Sequence, residues 1–164
     1  MDTNLIQKQQ TGFTLVELIF VILIIGILAI VAVPRWTATS LGLEFEARRV
    51  LNDVRYTQMM SVATGQRYRF TRLSGNSYSI ANESGSAIVL PSGGTVLIFT
   101  GNVVFGSFAN LPNNLIAFNS LGVPYTDTGI PGSQLSTTAS IALRSGGATR
   151  TIQISPETGY GVLS

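Results

Sequence analysis

From Phe13 to Pro34 the chain reads FTLVELIFVILIIGILAIVAVP, and Glu17 is the only charged residue in the run. At about 1.5 Å per residue a helix of this length reaches about 33 Å, matching a bilayer hydrocarbon core of ~30 Å. The run is apolar all round, so it is not one face of a soluble helix. A cleaved secretory signal is the rival reading. Its apolar core usually spans roughly 7–15 residues, and a small-residue A-x-A-like cleavage site follows it. This run is longer and no such site follows, so it reads as a retained membrane helix. Flanking charge does not orient it: Lys8 and the initiator amine, offset by Asp2, precede it and Arg35 follows at once.

Composition narrows what the remainder does. Of 164 residues 45% are hydrophobic and 11% charged, well under the usual ~25% charged, which excludes intrinsic disorder. The length suits one domain with an appendage. There is no cysteine and no histidine, which removes disulfides, thiol chemistry, zinc sites of those ligands and every His-based triad. The acids outside the apolar run are Glu44, Glu46, Asp53, Glu83, Asp127 and Glu157, without a recognisable catalytic pairing. No Ser-x-x-Lys element and no phosphate-binding glycine loop occurs. A calcium loop at Tyr125–Gly129 would have the single carboxylate Asp127, too few for a good site. The expectation is a non-enzyme with no cofactor and no metal.

Glu17 is the most informative residue. A carboxylate within a membrane helix costs roughly 2.5–3.5 kcal/mol at mid-bilayer, less near an interface, and such residues are usually functional. The run offers it no positive partner, but a cut just before Phe13 would create an amine four residues away. Gly12-Phe13-Thr14-Leu15-Val16-Glu17 ahead of a long apolar helix resembles the leader of type IV prepilins and type II secretion pseudopilins. The resemblance implies cleavage between Gly12 and Phe13 by a membrane prepilin peptidase, N-methylation of Phe13, and pairing of Glu17 with the terminal amine of a neighbouring subunit during assembly. It also implies topology: residues 1–12 a cytoplasmic leader, 13–34 a single inner-membrane span that also serves assembly, and the C-terminal body periplasmic, then carried into a pilus or pseudopilus. The implied partners are other pilin subunits, the peptidase, the inner membrane and an assembly platform.

After Pro34 the pattern becomes amphipathic. Leu43, Ala47, Val50, Leu51 and Val54 share one face, and Glu44, Arg48, Asn52 and Arg55 another. The pattern blurs from Thr57 to Ala63, and Gly65 is a plausible stop. One long helix is therefore expected to about Thr64, with 35–64 its amphipathic half and a bend or fray at Trp36–Gly42. Residues 65–164 hold short strand-like runs punctuated by glycine and Asn-rich turns. They are Gln66–Leu73, Asn76–Ala81, Ala87–Leu90, Val96–Thr100, Val103–Phe105, Leu115–Asn119, Ser140–Arg144 and Arg150–Ser155. In the first, Tyr68, Phe70 and Leu73 alternate with Arg67, Arg69 and Arg72. Tyr125–Gln134 reads as a long loop. The fold class is α+β: a long N-terminal helix on an antiparallel body, in two small sheets.

The helix end EARRVLNDVRYTQMMSVATGQRYRF, the segment IAFNSLGVPYTD and the last run IQISPETGYGV resemble the GspH/FimT group of minor pilins and pseudopilins. That resemblance implies a pilin-like fold and a structural role in a secretion pseudopilus or a type IV pilus, with adhesion or DNA uptake as the alternative. FimT-type members carry a Gly-Arg-x-Arg motif at the C-terminus for DNA. Here that end is Thr158-Gly159-Tyr160-Gly161-Val162, with no arginine after Arg150, so nucleic acid is not an expected partner. Residues 48–72 concentrate Arg48, Arg49, Arg55, Arg67, Arg69 and Arg72 against Asp53 alone. They could form a surface for an anionic partner, or a solvated helix face and a charged strand.

Overall fold

The computed structural model describes residues 14–32 and 35–164, with the backbone alone for 29–32 and 35–40. Two compact units result, divided after Arg35.

The first unit contains helix α1, Leu15–Ala32. Its 18 residues span about 27 Å at 1.5 Å per residue, a few ångströms short of a ~30 Å hydrocarbon layer. Among the described residues, then, no helix is by itself long and apolar enough to cross a membrane. The span expected over 13–34 rests at both ends on residues outside the description, as does the leader 1–12.

All of helix α2, Arg35–Thr64, after its first residue belongs to the second unit, and it is helical through the Trp36–Gly42 stretch where a fray was expected. Leu43, Ala47, Val50, Leu51 and Val54 are all buried. Burying each larger aliphatic side chain contributes roughly 1.5–3 kcal/mol. The face does not stop where the apolar pattern blurs. Thr57 and Ser61 are also fully buried, their hydroxyls donating back to Asp53 O and Thr57 O at 2.7 and 3.0 Å. Those intrahelical bonds let small polar side chains sit in a core. Gly65, at φ +70°, ends the helix by donating to Ser61 O.

Nine strands follow: β1 Tyr68–Arg72, β2 Ser77–Ala81, β3 Leu97–Ile98, β4 Val104–Ala109, β5 Leu115–Phe118, β6 Pro124–Tyr125, β7 Ala139–Ser145, β8 Ala148–Ile154 and β9 Gly161–Leu163. They make two antiparallel sheets, ordered β3-β2-β1-β5-β6 and β4-β7-β8-β9. The aromatic centre of the core joins them. Phe70 and Tyr78 of the first sheet lie 6.3 and 6.0 Å from Phe105 of the second, centroid to centroid. The β1–β2 turn also crosses over: the Phe105 N–H donates to Gly75 O at 2.7 Å, and Arg72 donates to Gly106 O at 3.3 Å.

Three expectations change. Ala87–Leu90 is not a strand, making one bridge (Ala81 with Ala87) before a tight turn. There Gly93 donates to Leu90 O and Leu90 to Gly94 O, with both glycines at positive φ. Leu73 is exposed, because the pairing of β1 ends at Arg72 opposite Tyr78 and the chain turns. Two further strands, β6 and β9, are present. They contain Pro124 and Gly161, residues that argue against strands when read alone. Tyr125 closes β6, and the following loop returns to it through the bridge with Gln134.

Candidate functional site

The first turn of α1 carries the residue the sequence singles out. Thr14 Oγ1 accepts the Glu17 backbone N–H at 3.3 Å, and Leu18 donates to Thr14 O at 3.2 Å. Thr14 is thus an N-cap with Glu17 in the third helical position, the Thr-x-x-Glu spacing of a capping box. A carboxylate there is also favoured by the positive end of the helix dipole. From Leu15 to Leu28 every large apolar side chain is exposed, between 42% for Val21 and 74% for Leu15. Apolar surface on all sides needs cover, from lipid or from other helices. Gly12 and Phe13 lie outside the described residues.

The arginines of 48–72 do not converge. Arg48 pairs with Glu44 at 2.8 Å, one turn away on α2, and Glu44 also holds Arg150 of β8 at 2.7 Å. Arg150, and then Arg48, keep the Glu44 carboxyl below its usual range. Arg49 reaches Glu46 at 3.4 Å. Arg55 donates to Tyr160 Oη at 3.0 Å and Gly161 O at 2.8 Å, its guanidinium over the Tyr160 ring. Arg67 stacks on Tyr125 and donates to the carbonyls of Gly129 and Pro131. Arg72 donates to Ser74 O and Gly106 O. Arg69 makes no hydrogen bond or ion pair among the described residues; its guanidinium lies along the turn at Gly85.

Asp127 is likewise a loop brace. Its two oxygens accept from Gly129 N at 3.0 Å and Ser133 N at 2.9 Å, and the Ser133 side chain first, then these backbone bonds, lower its pKa. Among the described residues no three His, Cys, Asp or Glu side chains converge as a metal site.

Sequence reading missed two buried acids. Glu46 and Asp53 are 0% and 5% exposed, seven residues apart on the buried face of α2. Glu46 Oε1 accepts the Thr100 N–H at 3.0 Å and its hydroxyl at 2.7 Å. Asp53 Oδ2 accepts the Tyr78 hydroxyl of β2 at 2.6 Å. Burial raises the Asp53 pKa, and burial with the adjacent carboxylate also raises that of Tyr78, so the phenol remains a donor. The available signal was position: both acids fall on the face that Leu43, Val50 and Val54 define.

Two family models match. The prokaryotic N-terminal methylation motif covers residues 7–33, and type II transport protein GspH covers 46–159. The second spans more than half of the chain and includes α2 from Glu46 and almost the whole body. The chain belongs to the GspH family. No curated protein matches it significantly. Two crystal forms of the type IV minor pilin FimU of Pseudomonas aeruginosa strain PAO1 are similar in structure. The first has a TM-score of 0.53 at 17% identity, over 74% of this chain and 87% of that one. The second has 0.51 at 18%, over 74% and 92%. At that identity the likeness shows the fold, which is pilin-like as expected. The GspH family comprises structural minor pilins and pseudopilins, not enzymes. Membership implies processing by prepilin peptidase and assembly with other pilin subunits, in a filament built at the inner membrane.

Proposed function

We propose that the chain is a minor pseudopilin of a type II secretion pseudopilus, incorporated through its N-terminal helix. Residues 1–12 are the leader, cut between Gly12 and Phe13, and Phe13 carries the N-methyl group. Residues 13–34 hold the precursor in the inner membrane with the leader cytoplasmic. The amphipathic 35–64 and the β-rich 65–164 form the periplasmic body. The secretion platform receives the mature subunit. The observation that carries this reading is the methylation-motif match at 7–33 followed by a GspH match from 46, the order a pseudopilin requires.

Glu17 is proposed as the assembly residue. In an apolar layer a lone carboxylate is costly and a paired one much less so, so a neighbour's Phe13 amine would fix axial register. The second reading is a type IV minor pilin with an adhesive or DNA-uptake role, favoured by the FimU-like fold. The six arginines do not favour the nucleic-acid version: on the body, Arg48, Arg49, Arg55, Arg67 and Arg72 are engaged by the chain's own groups.

Mass spectrometry of protein extracted from cells with active prepilin peptidase tests the processing. The expected N-terminus is N-methyl-Phe13; an intact Met1 refutes the reading. Co-purification with secretion pseudopilins rather than pilus subunits separates the two roles.

A further inference from the structure

A polar groove of about 720 Å³ opens at one end of the first sheet, lined by Gln66, Asn82, Glu83, Ser84 and Ile130. A smaller pocket of about 160 Å³ adjoins it, sharing Glu83 and Ile130 and adding Gly65, Arg67, Asn119 and Ser120. The sheet register builds the site. Arg69 opposite Ala81 and Tyr68 opposite Phe118 bring the start of β1 and the ends of β2 and β5 together, so the residues just beyond those strands crowd one rim.

The lining has an unusual chemistry. Asn119 Oδ1 accepts from Leu121 N and Val123 N, which fixes the amide and leaves its NH₂ without a bond among the described residues. Asn82 is held the same way by Ser84 and Ser86. Glu83 Oε2 accepts the Arg67 N–H at 3.3 Å, and its other oxygen makes no hydrogen bond among the described residues. Gln66 makes no side-chain bond there. The Arg67 guanidinium is committed to Tyr125 and the 129–131 carbonyls. The Arg69 guanidinium, which makes no bond among the described residues, lies at the Gly85 turn and is not part of the lining. The lining itself therefore offers anchored amide donors and a carboxylate acceptor with no uncommitted cation. Ile130, 68% exposed, supplies an apolar wall.

We infer that this groove is a binding site for a neutral polyhydroxylated ligand, a sugar of one or two rings. Ligand hydroxyls both donate and accept, which matches oriented amides beside a carboxylate. Glu83 disfavours anions, nucleic acid included. A peptide backbone would be matched by a free sheet edge or by apolar side-chain pockets; here the ladders of β1, β2 and β5 are paired and the only large apolar lining residue is Ile130. The site goes beyond the structural role and does not depend on the processing of Phe13.

The full chain, labelled with ¹⁵N and placed in lipid nanodiscs, is titrated with maltose, cellobiose, lactose and N,N′-diacetylchitobiose. Tri-alanine and inorganic phosphate form parallel arms. The expected result is saturable shifts of the Gln66, Asn82 and Asn119 side-chain NH₂ signals by at least one sugar, with a Kd on the order of 1 mM, and none in the other arms. Gln66→Ala, which removes no bond of the fold, should weaken that binding about 5-fold with thermal unfolding unchanged. Arg144→Ala, on β7, should not alter it. No saturable shift with any sugar up to roughly 50-fold above that Kd, or equal shifts with tri-alanine or phosphate, overturns the assignment. So does a Gln66→Ala chain that binds as wild type.

Discussion

Replacing Tyr78 by Phe isolates one atom at the helix–sheet seam. The ring is fully buried between Phe70, Phe99 and Phe105, and Phe fills the same volume. What disappears is the hydroxyl donating at 2.6 Å to Asp53, itself 5% exposed. A hydrogen bond to a charged group is worth roughly 1.5–3 kcal/mol, and the orphaned carboxylate keeps its desolvation penalty. We expect a loss of about 2 kcal/mol at pH 7. Unfolding entropy of ~2.1 cal/mol/K per residue over roughly 130 residues from Trp36 turns this into a Tm lower by about 7 °C. Near-UV circular dichroism during heating of the full chain measures it. The pH dependence is a second check. The folded Asp53 pKa is raised above the ordinary 3.8, so the folded state holds this proton more tightly than the unfolded one. The group's contribution is therefore most favourable below pH 3.8. It declines as pH rises to the raised value, then stays flat. Tyr78→Phe should widen that window, and Asp53→Asn should abolish it while keeping an acceptor for the phenol. A Tyr78→Phe Tm within about 2 °C of wild type, below the shift worked above, or an unchanged acid-side slope in Asp53→Asn, would refute the reasoning.

Glu46→Ala strips the acceptor from both donors of Thr100 and should cost about 2–4 kcal/mol, read by chemical denaturation. Gly159→Ala places a methyl 2.8 Å from the Gly122 carbonyl oxygen and 2.7 Å from Gln58 Nε2 at φ +67°. A loss of about 3 kcal/mol is expected, and an unchanged denaturation midpoint would show that the turn relaxes freely. Glu17→Val should leave membrane level and cleavage at wild-type values while filament incorporation falls. Complementation of a strain lacking the subunit measures this, and normal incorporation removes Glu17 from assembly.

The legibility of the chain followed its physics. Helix α2 was visible because Leu43, Ala47, Val50, Leu51 and Val54 repeat at helical spacing, and all are buried. Its last buried turn was not, because Thr57 and Ser61 are polar by composition and their intrahelical bonds are invisible in sequence. Long strands such as β7 and β8 announced themselves. The two-residue β6 and three-residue β9 are too short to carry alternation and exist because longer neighbours offer an edge. At the candidate assembly site the motif was legible, since fixed spacing of Gly12, Phe13 and Glu17 needs no tertiary information. The Glu46 and Asp53 anchors were half legible: their place on the apolar face of α2 was in the sequence, but each has a partner more than twenty residues away, which was not. The groove residues were illegible, since the sheet register alone brings them together.

The ties along α2 have a mechanical consequence. Glu44 to Arg150, Glu46 to Thr100, Asp53 to Tyr78, Arg55 to Gly161 and Gln58 to Gly122 and Thr158 cross from the helix to the body. The helix advances about 21 Å between the first and the last. A pull along the helix axis loads these ties side by side, so none slips before its neighbours strain. A pull across the axis opens them one after another from an end. The seam is therefore stiff to sliding and weak to peeling, a direction-dependent joint.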